Sequence, residues 1–258
     1  MITSVSNKQV KNIQKLQKSG KERRKQQRFV IEGIRMFREI PPQCLDKVFV
    51  TEQFYEKNKE LFSDITPEDL ISESVFEKLS ETETPQGVLA TVKMTEYEFE
   101  KMITCRENPV FLVLENLQDP GNLGTILRTA EGAGVDGVIM SRDTVDIYNP
   151  KVVRSTMGAL FRMPFCYVED ICQAVKEMQK AGICVYAAHL DGEGFYEKDY
   201  KKATAFLIGN EGNGLTDAIT SLADEKIRIP MMGKVESLNA AIAATLMAYE
   251  TLRQRLSK

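Results

Sequence analysis

From residue 109 onward the chain repeats one rhythm, a run of apolar residues that ends in a glycine-bearing loop: VFLVLENLQDPGNLG, GVDGVIM, ICVYAAHLDG, ATAFLIGNEGNGL and EKIRIPMMG, with helix-like stretches between them. The runs are continuously apolar rather than alternating, the pattern of strands buried on both faces. Such strands alternating with helices imply a parallel sheet with helices on either side, an α/β fold. Sheets of this kind bind ligands beyond the carboxyl ends of their strands, where these loops lie.

The first part of the chain reads as a separate, smaller α/β unit. RFVIEG is a strand-like run ending in glycine, IRMFREI a helix stopped by Pro41 and Pro42, and KVFVTE a second strand. FYEKNKELF follows as a helix, and GVLATVKM as a strand after the turn at Pro85, Gln86 and Gly87. This unit is expected over residues 1–95. The charged stretch 96–108, ended by Pro109, reads as a linker. A length of 258 residues with 43% apolar side chains supplies cores for two modest domains.

Charge is spread unevenly. The net value of -3 hides a basic arm in which Lys8, Lys11, Lys15, Lys18, Lys21, Arg23, Arg24, Lys25 and Arg28 face the single acid Glu22. Val10, Ile13 and Leu16 fall at spacings of three among these cations, so a helix here buries one stripe and turns its ammonium groups outward. Such a face holds phosphates by charge and counterion release, or is simply a solvated helix face. The five cysteines include no C-x-x-C pair, and His189 is the only histidine, so buried reduced thiols and no metal site are expected. No run of about 18 apolar residues occurs, and the opening residues lack a secretory apolar stretch, so a cytoplasmic protein without a membrane partner is expected.

Three loops carry candidate chemistry. In ENLQDPGNLGTILRTAEGAG, Asp119 and Pro120 set a turn, Gly121 and Gly124 allow close backbone approach, and a helix is expected from about Thr125. Asn122 lies in that turn. Arg128 follows within the first helical turns, either as a ligand contact, as an exposed helix residue or paired with Glu131. In LIGNEGNGL three glycines surround Glu211 in the order G-x-x-G-x-G, unlike the dinucleotide fingerprint. A carboxylate there can accept backbone N–H groups, pair with an arginine or face a cationic ligand. In IPMMGKVESLNAAIAATLMAYE, Ser237 and Asn239 stand near the start of a small-residue helix, where they cap free N–H groups or hold a polar ligand.

In combination and order these stretches resemble the SpoU/TrmH family of the SPOUT superfamily, RNA ribose 2′-O-methyltransferases that use S-adenosyl-L-methionine. The resemblance runs through residues 115–134, RSTMGALFRMPF at 154–165, 207–215 and 229–250. In the first part, SNKQVKNIQKL, RFVIEGIRMFRE and LSETETPQGVLATV are similar to that family's substrate-binding domain, a ribosomal-protein-like fold.

The resemblance implies an RNA substrate-binding domain at 1–95 and a methyltransferase domain at 109–258. It further implies a deep trefoil knot, with the segment from Ile229 onward threaded and its alanines allowing close passage. A homodimer whose active site draws on both subunits is implied as well. The methyl donor would sit among the three loops, touching Leu207, Gly209, Asn210, Gly214, Ile229, Met231, Ser237 and Leu238, with the backbone at Gly209, Ile229 and Leu238 holding its adenosine. The implied catalytic set is Asn122, Arg128, Glu211, Ser237 and Asn239. Within it Arg128 acts at the ribose hydroxyl, and Glu211 fixes Arg128 or the cationic donor. The RNA-binding set is Lys8, Lys11, Lys15, Arg23, Arg24, Arg28 and Arg154. His189, outside the matching motifs, reads as structural.

The expected substrate is ribosomal RNA, with transfer RNA as the alternative. A non-catalytic RNA-binding protein on the same fold is a second reading, opposed by the intact motif residues. A nicotinamide-dependent oxidoreductase is a third, opposed by the glycine order around Glu211.

Overall fold

A computed structural model describes residues 1–257. The chain divides into two compact units, one made of Met1–Thr95 with Asp146–Phe161, the other of Glu96–Val145 with Arg162–Lys258. Residues 146–161, expected within the second domain, thus belong to the first unit.

The first unit begins with α1 (Lys8–Lys18) and α2 (Gly20–Gln26). The arm is therefore two helices, parted at Ser19, whose extended backbone and side-chain oxygen cap α2. β1 (Arg28–Glu32), α3 (Ile34–Arg38), β2 (Leu45–Thr51), α4 (Glu52–Lys57), β3 (Asp69–Ile71), α5 (Glu73–Leu79) and β4 (Val88–Lys93) follow. They form a four-stranded sheet of order β1-β4-β2-β3, antiparallel except for the parallel β2–β3 pair. β3 and α5 have no counterpart in the sequence expectation. Val10, Ile13 and Leu16 of α1 sink into the core against Val30, Phe49 and Leu89, as their spacing requires.

In the second unit α6 (Phe99–Ile103) precedes β5 (Val110–Leu114), α7 (Pro120–Gly132) and β6 (Gly137–Ser141). The supposed linker therefore carries a helix, and its Met102 and Ile103 are part of the hydrophobic core. The short helix α8 (Pro150–Thr156) lies in the first unit. β7 (Phe165–Val168), α9 (Ile171–Lys180), β8 (Cys184–Gly194), β9 (Thr204–Ile208), α10 (Asp217–Thr220), β10 (Glu225–Arg228) and α11 (Ala240–Leu256) complete the unit.

Its six strands run parallel in the order β10-β8-β9-β5-β6-β7. Five of them were legible in the sequence, while β7, four residues at the sheet edge with Tyr167 exposed, was not. From β5 the chain winds first toward β6 and β7, then returns to the other side through β8 and β9. The order therefore reverses between β5 and β9, which places a ligand crevice beyond the carboxyl ends of those two strands.

Candidate active site

The β5–β9 pairing brings Leu114 opposite Ile208, so the loops that leave these strands start side by side. Glu115, buried at the end of β5, accepts the backbone N–H of Thr216 at 2.8 Å and its hydroxyl at 2.7 Å, which folds the loop after β9 back toward β5. Asn210 Nδ2 donates to the carbonyl of Asn116 at 2.8 Å, and Asn210 Oδ1 accepts from the N–H groups of Gly212 and Asn213. Asn210 and Gly214 exchange two backbone hydrogen bonds. A Cβ on Gly209 would stand 2.1 Å from the carbonyl carbon of Gly214, and Gly214 itself has a φ of +68°. Both glycines are thus required, the first by contact and the second by conformation. Glu115 and Asn116 were absent from the sequence-derived set, and only their place directly after an apolar strand marked them.

Asp119 caps α7 and Pro120 opens it, so the helix begins about a turn earlier than expected and Asn122 is already helical. Glu211 accepts from the N–H groups of Gln118 at 3.1 Å and Asp119 at 2.9 Å, and from Asn122 Nδ2 at 3.0 Å. Partial burial pushes the Glu211 carboxyl up, but the donors on Asn122, Asp119 and Gln118 outweigh it and hold its pKa below the ordinary carboxylate value. Asn122 Oδ1 accepts from Asn239 Nδ2 at 2.9 Å, and Asn239 Oδ1 caps α11 through the N–H groups of Ala241 and Ile242. One chain of hydrogen bonds therefore joins the ends of three loops. The cap of α11 is Asn239 and not Ser237.

Beside this chain lies a cleft of about 410 Å³, lined by Leu190, Ile208, Gly209, Ile229, Met231 and Leu238, among others. Asn210, Gly214 and Ser237 line it too, and so does His189. Leu207 does not, being fully buried in the core. Between Ile229 and Leu238 no backbone–backbone hydrogen bond is made among the described residues, so the peptide groups of this wall are open to a ligand. Its size, and apolar walls interrupted by Asn210, Glu211, Asn213, Arg228, Glu236 and Ser237, suit a small molecule that is itself part apolar and part polar.

Arg128 stands apart. It is exposed, has no hydrogen bond or ion pair among the described residues, and does not line the cleft. Glu131 pairs with Arg162 at 2.9 Å, and Glu211 is taken up by the amide donors. Neither expected partner therefore holds Arg128.

In the first unit Lys8, Lys11, Lys15 and Arg24 are exposed. Arg23 is not available to RNA. It is 4% exposed, pairs with Asp146 at 2.6 Å, and donates from Nη1 to the carbonyls of Leu16 and Gln17 at the end of α1. Arg28 is bound to Asp46 and Arg154 to Glu81.

All five cysteines are free, yet only Cys166 is fully buried and Cys105 is exposed. Burial, with Glu100 adding, pushes the Cys166 thiol up to about 12, which keeps it protonated and unreactive. No cluster of three metal-ligating side chains occurs among the described residues, and no helix is long and apolar enough to cross a membrane.

Fold and site together define a parallel α/β domain whose small-molecule cleft lies beyond the strand ends, in a chain that also carries a small basic α/β unit. The chain belongs to the SpoU rRNA Methylase family, which it matches over residues 109–249, and residues 7–90 match the MRM3-like substrate binding domain. It is 34% identical to the 23S rRNA (guanosine(2553)-2'-O)-methyltransferase RlmP of Bacillus subtilis, over 96% of this chain and 97% of that one. It is 36% identical to a 23S rRNA (uridine(2479)-2'-O)-methyltransferase of Streptomyces viridochromogenes, over 68% and 63%. The solved SpoU methyltransferase AviRb from the same organism, in complex with its cofactor AdoMet, superposes with a TM-score of 0.87 at 30% identity, covering 97% of this chain and 99% of that one.

Proposed function

We propose that this protein transfers a methyl group from S-adenosyl-L-methionine to a ribose 2′-hydroxyl of ribosomal RNA. The observation that carries the reading is a cleft lined by β8 and the loops after β9 and β10, whose Ile229–Leu238 wall has open peptide groups and whose Glu211 is tied through Asn122 to Asn239. The residues present suit the cofactor. Gly209 lets the loop after β9 fold tightly back on Gly214 at the edge of the cleft, and the free backbone groups between Ile229 and Leu238 offer donors and acceptors to an adenosine.

When bound, the cofactor supplies an electrophilic methyl group on a sulfonium. The chain's part is placement, because an in-line displacement depends chiefly on holding the reacting atoms at about 3 Å and in line. Asn122, held by Glu211 on one side and Asn239 on the other, orders the loop beside the hydroxyl. Ser237, with no protein partner, completes the pocket wall. Arg128 holds the target phosphate and stabilises the negative charge that develops on the ribose oxygen as its proton passes to solvent water. Guanidinium stays protonated in proteins, so its work is electrostatic.

Arg128 reaches no cleft residue of its own chain, which supports a homodimer in which it serves the partner's cleft. The α11 residues Ile242, Tyr249 and Leu256 recur at spacings of seven and are 49%, 45% and 73% exposed, an apolar stripe suited to a two-fold contact. In this reading the segment from Ile229 onward is the threaded part of a trefoil knot. The basic arm of the first unit docks RNA in the cytoplasm through Lys8, Lys11, Lys15 and Arg24.

Mass-spectrometric nucleoside mapping of ribosomal and transfer RNA from cells with and without the protein tests the reading. Loss of one 2′-O-methyl mark in ribosomal RNA, restored by wild type and not by Arg128→Ala, is the expected result. A mark lost from transfer RNA would move the substrate. No change in either RNA class would oppose the enzyme reading.

A further inference from the structure

Among the side chains that line the cleft, His189 has no role in the reaction just described. It is the only histidine of the chain, stands on β8, and shares the cleft with Gly209, Ile229, Met231 and Leu238. Its side chain is 31% exposed. Nδ1 accepts the backbone N–H of Asp191 at 3.2 Å. An imidazole that accepts at Nδ1 carries its hydrogen on Nε2 when neutral. No described residue receives that hydrogen. A wall of apolar side chains and open peptide groups thus includes one ring N–H whose tautomer is set and which has no acceptor in the protein.

We propose that His189 contacts the methyl donor, donating from Nε2 to bound S-adenosyl-L-methionine. The inference rests on the cofactor reading above and adds a residue to it.

The charged groups around the ring do not take up its free N–H. Asp191 Oδ2 lies 3.7 Å from Nδ1, beyond hydrogen-bond reach, on a side chain that is 85% exposed. Glu193, further along β8, is paired with Lys198. Arg228 of β10 reaches the carbonyl of Leu190 at 3.4 Å. From the loops, Glu211 is held by its three N–H donors, and Glu236 is exposed at the cleft.

S-adenosylhomocysteine is the control, because it has the same adenosine and amino-acid groups without the sulfonium. Titration calorimetry on the full-length protein near pH 8 reads both affinities. His189→Ala is expected to weaken both ligands about tenfold, the worth of one lost hydrogen bond and its contact. His189→Gln, whose amide can still donate, stays within about threefold of wild type.

Wild-type affinity of His189→Ala for both ligands would overturn the proposal, as would a His189→Gln variant that binds no tighter than His189→Ala. Circular dichroism checks that the variants fold. If the alanine variant does not, His189→Phe, which keeps a ring without a donor, replaces it in the comparison with His189→Gln. Failure of wild type to bind either ligand would instead overturn the cofactor reading.

Discussion

Asn239 donates through Nδ2 to Oδ1 of Asn122 at 2.9 Å across 117 residues of chain. The other end of each amide is engaged as well, Asn239 Oδ1 with the first N–H groups of α11 and Asn122 Nδ2 with Glu211. The starts of two helices and a glycine loop are therefore held by side chains that each both donate and accept. Neither asparagine can be exchanged for aspartate without facing an acceptor with an acceptor.

Removal of this link gives the first expectation. Asn239→Ala loses a helix cap as well as the bond to Asn122, and should lower unfolding free energy by about 1 kcal/mol. The same change should weaken binding of the methyl donor about tenfold, as the wall from Ile229 to Leu238 loses its anchor. Asn122→Asp should destabilise more than Asn122→Ala, because it sets a second carboxylate against Glu211. Denaturant melts and calorimetry on the three variants check the order.

Glu211 has a sign that pH can read. Its folded pKa lies below the ordinary value, so it contributes stability above the unfolded-state pKa, and that contribution is lost as pH falls through the folded one. Glu211→Gln should therefore be less stable than wild type by about 1 kcal/mol, the side chain being partly solvated. The gap should stay constant from neutral pH down to the ordinary carboxylate range and close only on further acidification. A gap that already narrows near pH 6 would assign the effect to another group.

Arg23 separates the structural cations of the arm from those free to bind RNA. Arg23→Ala leaves Asp146 and the α1 carbonyls without their donor and should cost about 3 kcal/mol, with Arg23→Lys a poor rescue because it lacks the planar fork. Reversing Lys8, Lys11, Lys15 and Arg24 to glutamate should leave the melting temperature nearly unchanged. It should weaken RNA binding and flatten the salt dependence by about one unit of slope per cation that touches phosphate. Filter binding at several salt concentrations measures it.

Arg128 should behave in the opposite way to Asn239. It is exposed and unpartnered, so Arg128→Ala should melt with wild type and bind the methyl donor normally, while turnover falls by at least about a hundredfold. Arg128→Lys keeps the charge and loses the fork. Nearly full activity in that variant would show that charge alone suffices.

The sequence was informative wherever chemistry is local. Continuous apolar runs such as VFLVL and ATAFLI foretold five of the six parallel strands, and the spacing of Val10, Ile13 and Leu16 foretold the buried stripe of α1. Gly209 and Gly214 marked a loop that tolerates no side chain in one place and requires a positive φ in the other. Matching motifs placed Asn122, Glu211 and Asn239 in one site before any bond between them was visible.

What the sequence by itself determined was therefore the parallel α/β architecture, the basic arm and the residue types of the site. The tertiary structure alone decided which donor meets which acceptor. Arg23 looks like its neighbours in the arm, yet it is buried because Asp146 comes to it from 123 residues away. Of the partners the sequence offered Glu211, namely backbone N–H groups, an arginine or a cationic ligand, the fold supplies N–H groups, from a loop some 90 residues earlier in the chain. β7 and His189 follow the same logic, the strand recognisable only by its pairing with β6 and the histidine only by the cleft that β8 and β9 form together. Side-chain pairing across long sequence separations depends on where whole elements pack, and no local pattern of residues encodes that distance.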